Sequence, residues 1–473
     1  MITGLLVLVI ITRSLTPEEF GTWNLIGTLL IYGMILDPIV SYWTTREIAR
    51  GGNDGRSAII TNELLSIVGI IIFVVIAFII SKNSIIDFNI LLIGIILIPN
   101  RYLLKVLSAI NMGWKPQSVG YATIISEVSR APLVLLFISY MDLGILGVII
   151  AYLLTTLCNN IIQLILAREK IRSKLDIKNS IKWIKLSWLT LYPRISLLLY
   201  RTDIIIFPIV TGSILGVAQF SAALLIAGVV NIVGGLTGPA YARMLETQKN
   251  EHIKDNLSRF FLFAIPISFL TITMAKESLY ILNPIYQDFD KVVMLLTIQS
   301  FLFTLSSILI QYLTGIEKID IGNLATFRDY IKSTFFNLST FSLIRFSIYL
   351  VILTVMLLTI DSMDKNIILF WAIISVSVEI PFSIFIWILF KKEFNFKFPK
   401  IRVLKYSLSS MASFGLIYVI KNSMINYNDG FYSFVFNVVI LVCISLGIYT
   451  LITYKIDDDV RILIKSVIKE IRK

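Results

Sequence analysis

The stretch ELLSIVGIIIFVVIAFII, residues 63 to 80, carries a single charge, at its first position, and no proline. About twenty apolar residues wound as a helix cross the roughly 30 Å hydrocarbon layer of a bilayer. Only structures that satisfy their own backbone hydrogen bonds survive there. The run therefore predicts a membrane-crossing helix. Working outward from it, fourteen comparable stretches emerge, at roughly 2–15, 21–43, 58–80, 89–110, 117–139, 143–167, 184–209, 214–239, 258–276, 291–313, 333–357, 366–390, 402–421 and 431–454. Composition agrees, with 473 residues, 57% of them hydrophobic and 15% charged, and a mean hydropathy of +0.84. A soluble core could not hide that much apolar surface. The expected fold class is all-α integral membrane, with about fourteen transmembrane helices.

No segment between these stretches is long enough for a separate soluble domain, so the chemistry belongs in or beside the membrane. Segments 43–57, 111–117, 168–185, 240–259, 315–332, 391–405 and 454–473 carry most of the Lys and Arg that lie near helix ends. By the positive-inside rule they face the cytoplasm, which puts both termini there and places the protein in the cell membrane. The formal net charge of +12 then needs no partner beyond the anionic lipids of the inner leaflet, and nucleic acid is not implied. The first run is short and has no basic region before it, so it does not read as a secretory signal; the chain as given is expected to begin part-way into its first span. Cys158 and Cys443 each fall inside an apolar run and read as small core hydrophobes.

Between the first two runs lies RSLTPEEFGTWNL, residues 13–25. Thr16 suits an N-cap, Pro17 the first helical position and Glu19 the third, which together make a capping box for the second span. Glu18 and Glu19 then sit at the positive end of the helix dipole. Phe20 and Trp23 fall where aromatic side chains favour the interface.

The stretch has an echo. In GSILGVAQFSAALLI, residues 212–226, Leu215, Phe220, Leu225 and Ile226 repeat Leu15, Phe20, Leu25 and Ile26 at a constant offset of 200. SAINMGWKP (108–116) and QYLTGIEKI (311–319) leave the membrane through Gly113 and Lys115, and through Gly315 and Lys318; REIARG (46–51) pairs with AYARML (240–245) in the same way. Six spans separate the members of each pair, so the first twelve helices read as two six-helix repeats of like orientation, followed by two C-terminal helices. Parallel repeats about an axis along the membrane normal are a transporter architecture. The expected organisation is an N-terminal six-helix bundle over 1–167, a cytoplasmic linker over 168–183, a C-terminal six-helix bundle over 184–390, helices 13 and 14 over 391–454, and a cytoplasmic amphipathic helix over 455–473.

RSLTPEEFGTWNL followed by REIARG resembles the N-terminal signature of the polysaccharide-biosynthesis flippases, which move lipid-linked oligosaccharides and belong to the multidrug/oligosaccharidyl-lipid/polysaccharide exporter superfamily, with its MATE-like fold. YRTDIIIFPIVTGSILGVAQFSAA, residues 200–223, is similar to that family's second-half counterpart. Two departures stand out: Gly21-Thr22-Trp23 replaces the expected Gly-Tyr pair, and Phe220-Ser221 stands where Gly-Ile-Tyr is usual. The resemblance implies a non-enzymatic flippase without cofactor. Its substrate would be an oligosaccharide on a polyprenyl phosphate or pyrophosphate, with a polymerase or glycosyltransferases as partners in surface polysaccharide or glycoconjugate synthesis.

Independently of that likeness, Arg101, Arg130, Arg194 and Arg345 each lie about eleven to thirteen residues from a helix end, roughly 18 Å deep at 1.5 Å per residue. At about 2.5–3.5 kcal/mol apiece, four lipid-facing arginines would cost on the order of 10–14 kcal/mol, so they are expected to face a cavity or partners. Guanidinium grips phosphate with two parallel hydrogen bonds and keeps its charge at any relevant pH. These four are the candidate substrate-binding residues. The alternative is structural pairing: Glu127 lies three residues before Arg130 on one helical face, Glu379 is at a depth that suits Arg345, and Asp37 precedes Pro38 in the second span. The same three acids are the candidate coupling carboxylates. Asp203, near the end of the seventh span, reads as a cap or an interface ion pair, and His252, in QKNEHIKDN, as a solvated loop residue.

DDDVRILIKSVIKEIRK, residues 457–473, has one apolar stripe and reads as an interfacial helix. Its three aspartates suit helix capping, and no metal site is expected. KLDIKNSIKWIK (174–185) reads as an inner-surface linker. A P-loop is absent, which disfavours ATP-driven transport. A membrane glycosyltransferase or ligase is the less favoured enzyme reading, because the outer loops are short and histidine-free. An ion-coupled multidrug exporter of the same fold is the principal alternative.

Overall fold

The computed structural model describes residues 2–172, 174–235, 251–315, 331–360, 366–396, 398–428 and 430–471. Among these there are helices and no strands. The helices are α1 (Ile2–Ser14), α2 (Pro17–Gly33), α3 (Pro38–Ala49), α4 (Gly55–Asn83), α5 (Phe88–Trp114), α6 (Pro116–Tyr140), α7 (Gly144–Ile171), α8 (Ile177–Lys185), α9 (Ser187–Arg201), α10 (Asp203–Thr211), α11 (Leu215–Gly235), α12 (Glu251–Thr273), α13 (Ala275–Leu282), α14 (Pro284–Gly315), α15 (Thr334–Thr359), α16 (Ile367–Phe394), α17 (Lys400–Met424), α18 (Phe431–Ile456) and α19 (Asp458–Ile471).

The opening stretch lies within α4, and its patterning is the reverse of a soluble helix. Ala58, Asn62, Ser66, Gly69, Phe73, Ala77 and Ile80 are buried, whereas Leu64, Ile67, Val68, Ile71, Val75 and Phe78 are exposed. Small and polar residues turn inward and large aliphatics outward, as expected where the surroundings are lipid and close helix packing supplies the attraction. The tightest approach is between α2 and α4, where a Cβ on Gly69 would run into the carbonyl oxygen of Gly33. Tyr102 of α5 closes this crossing by donating its hydroxyl to that same carbonyl at 2.9 Å.

Eleven helices among the described residues are long and apolar enough to cross a membrane, or twelve if α2 and α3, bent by 62° at their junction, are one span. Two further expected spans are helical without meeting that test: α1 has 13 residues, and the seventh divides into α9 and α10 at Thr202. Each of the fourteen stretches thus holds helix among the described residues, while the count of fourteen crossings is not reached by length and apolarity.

The capping box at the start of α2 forms as expected. The Thr16 backbone N–H donates to Glu19 Oε2 at 3.0 Å, and the Glu19 N–H donates to Thr16 Oγ1 at 3.2 Å. Phe20, expected at the interface, is instead fully buried. Asp457 caps α19, accepting from the Asp459 N–H at 3.0 Å. Asp458 pairs with Arg461 at 2.8 Å and Asp459 with Arg402, so the aspartate run is divided among three separate structural contacts. No cluster of potential metal ligands occurs among the described residues. Cys443 is exposed on α18 rather than in a core, and Cys158 is half-buried.

Packing divides the chain into two compact units, one of residues 1–221 with 336–367, the other of 222–335 with 368–473. The first unit holds the first six expected spans together with the seventh and eleventh. Its core gathers Val40, Ile48, Ala58, Val106, Leu107, Ile110 and Trp183. Tyr192 of α9 bonds Thr340 of α15 at 2.6 Å, and Tyr349 of α15 donates to Asp203 of α10 at 2.8 Å. These contacts fasten α15 to α9 and α10, and Tyr32 of α2 shares a hydrogen bond with Thr202, between α9 and α10, at 2.5 Å; all three helices thus belong to the first unit, although the repeat assigns them to the second half. The echo at 240–245 and Lys318 lie outside the described residues.

In the second unit, Met274, Ile417, Ile425, Phe434, Val438 and Leu441 form one core cluster. Beside it, Glu277 of α13 meets Lys421 of α17 at 3.0 Å, both largely buried, and accepts from the Tyr427 hydroxyl at 3.1 Å. Burial and the neighbouring Glu277 carboxylate push the Tyr427 phenol up from its ordinary value, so it remains a donor.

Candidate substrate-binding site

All four expected arginines belong to the first unit. Arg101 sits on α5 one residue after Asn100, which begins a seam of side-chain amides between α5 and α7. Asn160 donates to the Asn100 backbone carbonyl at 2.9 Å, Asn159 to Ser126 of α6 at 3.0 Å, and Gln163 to Ser108 at 3.0 Å. Asn111 closes the seam on the Gln163 carbonyl at 3.0 Å. These bonds replace water inside the bundle and fix the rotation of α5. Arg101 itself is half-buried. The charged and phenolic groups within electrostatic reach of it are Arg130 and Tyr152, and no carboxylate pairs with it among the described residues.

Arg130, on α6, follows the structural alternative instead. Its Nη2 lies 2.8 Å from Glu127 Oε1, and its guanidinium stands 5.0 Å from the ring centroid of Tyr152 on α7. Tyr152 in turn packs against Trp23, ring centroids 4.8 Å apart. The Arg130 Nε has no hydrogen-bond partner. Arg101, Arg130, Tyr152 and Trp23 thus gather on one side of the first unit, cationic in balance once Glu127 is counted.

Arg194 lies near the bend that separates α2 from α3. There Asp37, 5% exposed, accepts from the Ser41 hydroxyl at 2.7 Å and from Asn62 Nδ2 at 3.3 Å. Lys105 and Arg194 are the cations within its electrostatic reach. Pro38 cannot donate back to the preceding turn, and Gly33 ends α2, so the chain turns at 34–37 and leaves Asp37 at the start of α3. The Arg194 Nε is buried without a hydrogen-bond partner.

Arg345 is buried within α15, its guanidinium 4.0 Å from the Phe346 ring centroid. It belongs to the first unit and Glu379 to the second. Glu379 accepts from the Ser383 hydroxyl at 3.2 Å, and Ser383 is bonded to Ser306 of α14 at 2.9 Å. Asp203, the first residue of α10, accepts from the adjacent Ile204 N–H at 2.8 Å and takes the Tyr349 hydroxyl on its other oxygen, while the N-cap position belongs to Thr202. The structure therefore brings Arg101 together with Arg130, and Arg194 together with Asp37. Sequence reasoning passed over Lys105, one turn after Arg101 on the same helix face, and Glu63, a half-buried acid on α4 whose Oε1 has no partner. Both stood in plain view as charges inside apolar runs.

Among solved structures, the chain is similar to the lipid II flippase MurJ in an inward closed conformation, at 16% identity over 97% of each chain with a TM-score of 0.66. It is similar to an inward-facing multidrug resistance MATE family transporter of the MOP superfamily, at 14% identity over 82% of this chain and 94% of that one, TM-score 0.59. A MOP superfamily transporter from Pyrococcus furiosus, described as having a binding pocket of reversed polarity, follows at 13% identity over 84% and 93%, TM-score 0.53. The chain has the MOP transporter fold. No family model and no curated protein matches the sequence. At these identities the likeness is one of fold, and with the long apolar helices it makes the chain a multi-pass membrane protein.

Proposed function

We propose that the chain moves an oligosaccharide carried on a polyprenyl phosphate or pyrophosphate across the cell membrane by alternating access, without enzymatic chemistry or cofactor. Arg101 carries this reading: a half-buried guanidinium midway along α5, unmatched by any acid among the described residues and accompanied by a second guanidinium on α6. Glu127 matches only one of these two cations, and the net charge left calls for an anion to complete it. A phosphate or pyrophosphate satisfies both through parallel N–H···O bonds, and Trp23 and Tyr152 offer flat faces against which a sugar ring can pack. The fold shared with a lipid flippase and with MATE transporters supports movement by exchange between inward- and outward-open states. The charge asymmetry of the loops supports a cytoplasmic location for both termini. The enzymes that assemble and polymerise the glycan are the expected partners, beside membrane lipids.

Asp37 is the carboxylate best placed to couple transport to an ion gradient. It is buried at a helix break, and its neighbours include Arg194, so a change of its charge would be felt by a candidate substrate contact. Glu127 is committed to Arg130 and Glu379 to Ser383. The rival reading, an ion-coupled multidrug exporter, requires acids that face a cationic cargo; the surroundings of Asp37 are themselves cationic.

The deciding experiment reconstitutes the full chain in vesicles and follows translocation of a fluorescent polyprenyl-pyrophosphate-linked sugar. Arg101→Gln is expected to slow it about tenfold or more, since one charge-assisted bond is worth roughly 1.5–3 kcal/mol, with partial retention in Arg101→Lys. Unchanged rates in Arg101→Gln, or carboxylate-dependent export of cationic dyes by the wild type, would overturn the reading.

A further inference from the structure

The second unit carries a cavity of about 870 Å³ between α12, α14, the end of α16 and α17, which the transport reading does not use. Its wall is aromatic and aliphatic: Phe261 and Phe269 from α12, Phe301 from α14, and Trp387, Phe396 and Phe398 at and beyond the end of α16. The rings pack on one another around one end, with Phe398 5.6 Å from Phe261 and 5.2 Å from Trp387 between centroids. From Phe261 the wall continues along α12 to Ile272, about 17 Å at 1.5 Å per residue. That length is apolar apart from Ser268, Thr297 and Ser407.

The end at Phe398 is different. Lys391 and Lys400 line it, both exposed, and neither pairs with a carboxylate among the described residues. They lie in the 391–405 segment, which the positive-inside rule places at the cytoplasmic surface. Asn395, at a φ of 45°, provides the left-handed turn that ends α16. The chain then returns through Pro399 into α17, so both lysines border the same opening. A long apolar slot with aromatic rings at its mouth and two unmatched ammonium groups beside them is complementary to one amphiphile, an acyl chain beneath an anionic headgroup. Basic pockets between transmembrane helices on the cytoplasmic side are suited to such headgroups, and aromatic rings to headgroup depth.

We propose that this slot is a binding site for an anionic diacyl phospholipid of the inner leaflet, its phosphate held by Lys391 and Lys400 and an acyl chain lying along α12 beside Phe301. This lipid is a resident of the second unit and not the transported cargo, whose proposed phosphate contacts lie on the first.

The test is lipid retention, read without any transport assay. The full chain, purified in mild detergent, is titrated with phosphatidylglycerol or phosphatidylcholine of equal chain length, and bound lipid is counted by native mass spectrometry. Phosphatidylglycerol is expected to bind preferentially. The double variant Lys391→Gln/Lys400→Gln should weaken it roughly thirtyfold, from about a fivefold contribution per lysine near an anionic surface. Ser268→Trp, which fills the slot and leaves both lysines in place, should lower binding of both lipids. Equal retention of the two lipids by the wild type would show only annular contact and overturn the proposal. Undiminished phosphatidylglycerol in the double variant would overturn it too, as would displacement by an equimolar polyprenyl phosphate, which would give the slot to the cargo. A melting temperature unchanged in lipid-free detergent verifies that the variants fold.

Discussion

Glu19 ties two helices by their starts. One carboxylate oxygen takes the Thr16 N–H of its own cap and the other takes the Ile145 N–H at the beginning of α7, 3.3 Å away, beside Gly144 in a left-handed conformation. Glu19→Ala is therefore expected to cost about 1–2 kcal/mol, the upper range for a lost cap, visible as a lowered melting temperature in detergent. Glu19→Gln keeps one acceptor oxygen for the two N–H groups and should recover only part of the loss; a loss equal to that of Glu19→Ala would show that both carboxylate oxygens are needed together. The capping box was legible because all its members lie within four residues. The bond to Ile145 was not, because nothing local announces a partner so far along the chain. The same division holds among the arginines: Glu127 and Arg130 are three apart and their pairing could be read from spacing, whereas the meeting of Arg101 with Arg130, and of Arg194 with Asp37, needed α5, α6, α9 and the α2–α3 bend to be placed.

Among elements, α13 and α17 are joined by a contact that hydropathy could not foresee. Glu277 is 3% exposed and meets Lys421, which also donates to the Thr273 carbonyl at 2.8 Å. Lys421→Met leaves a buried carboxylate uncompensated, a loss on the order of 3–5 kcal/mol. Adding Glu277→Gln should restore much of the stability, because the uncompensated charge is then gone while Tyr427 can still donate to the remaining oxygen. Thermal unfolding of the two single variants and the double variant measures this directly, and strict additivity would refute a coupled pair. At the crossing of α2 with α4, Gly69→Leu must push the helices apart, since even a Cβ meets the Gly33 carbonyl. That change should destabilise the protein more than Gly415→Leu on α17, where a Cβ meets nothing within 4 Å. Helix positions were readable from apolar runs because lipid imposes length. The breaks at 34–37 and at Thr202 were not, since a proline or a short polar step inside an apolar run is compatible with a continuous helix in a membrane.

For the molecule as a whole, sequence patterning located the helices but not their grouping. The repeat assigns α9, α10 and α15 to the second half, and side-chain bonds such as Tyr349 to Asp203 fasten them within the first unit. Internal sequence echoes report common descent of segments, while packing reports which faces fit. This grouping makes alternating access testable at a defined residue. With Cys158 and Cys443 replaced by alanine, Arg194→Cys puts a single thiol beside Asp37. A transporter that opens in turn to each side must expose this thiol to a membrane-impermeant maleimide from the cytoplasmic face in one state and from the opposite face in the other. Right-side-out and inside-out vesicles should therefore both be labelled. Labelling should fall when polyprenyl-pyrophosphate-linked sugar is added, and Asp37→Asn should shift the ratio between the two vesicle orientations by biasing the states that the coupling carboxylate distinguishes. Reaction from one face alone, unchanged by substrate and by Asp37→Asn, would mean that residue 194 does not lie on the translocation route, and would confine the arginines of this unit to holding helices together.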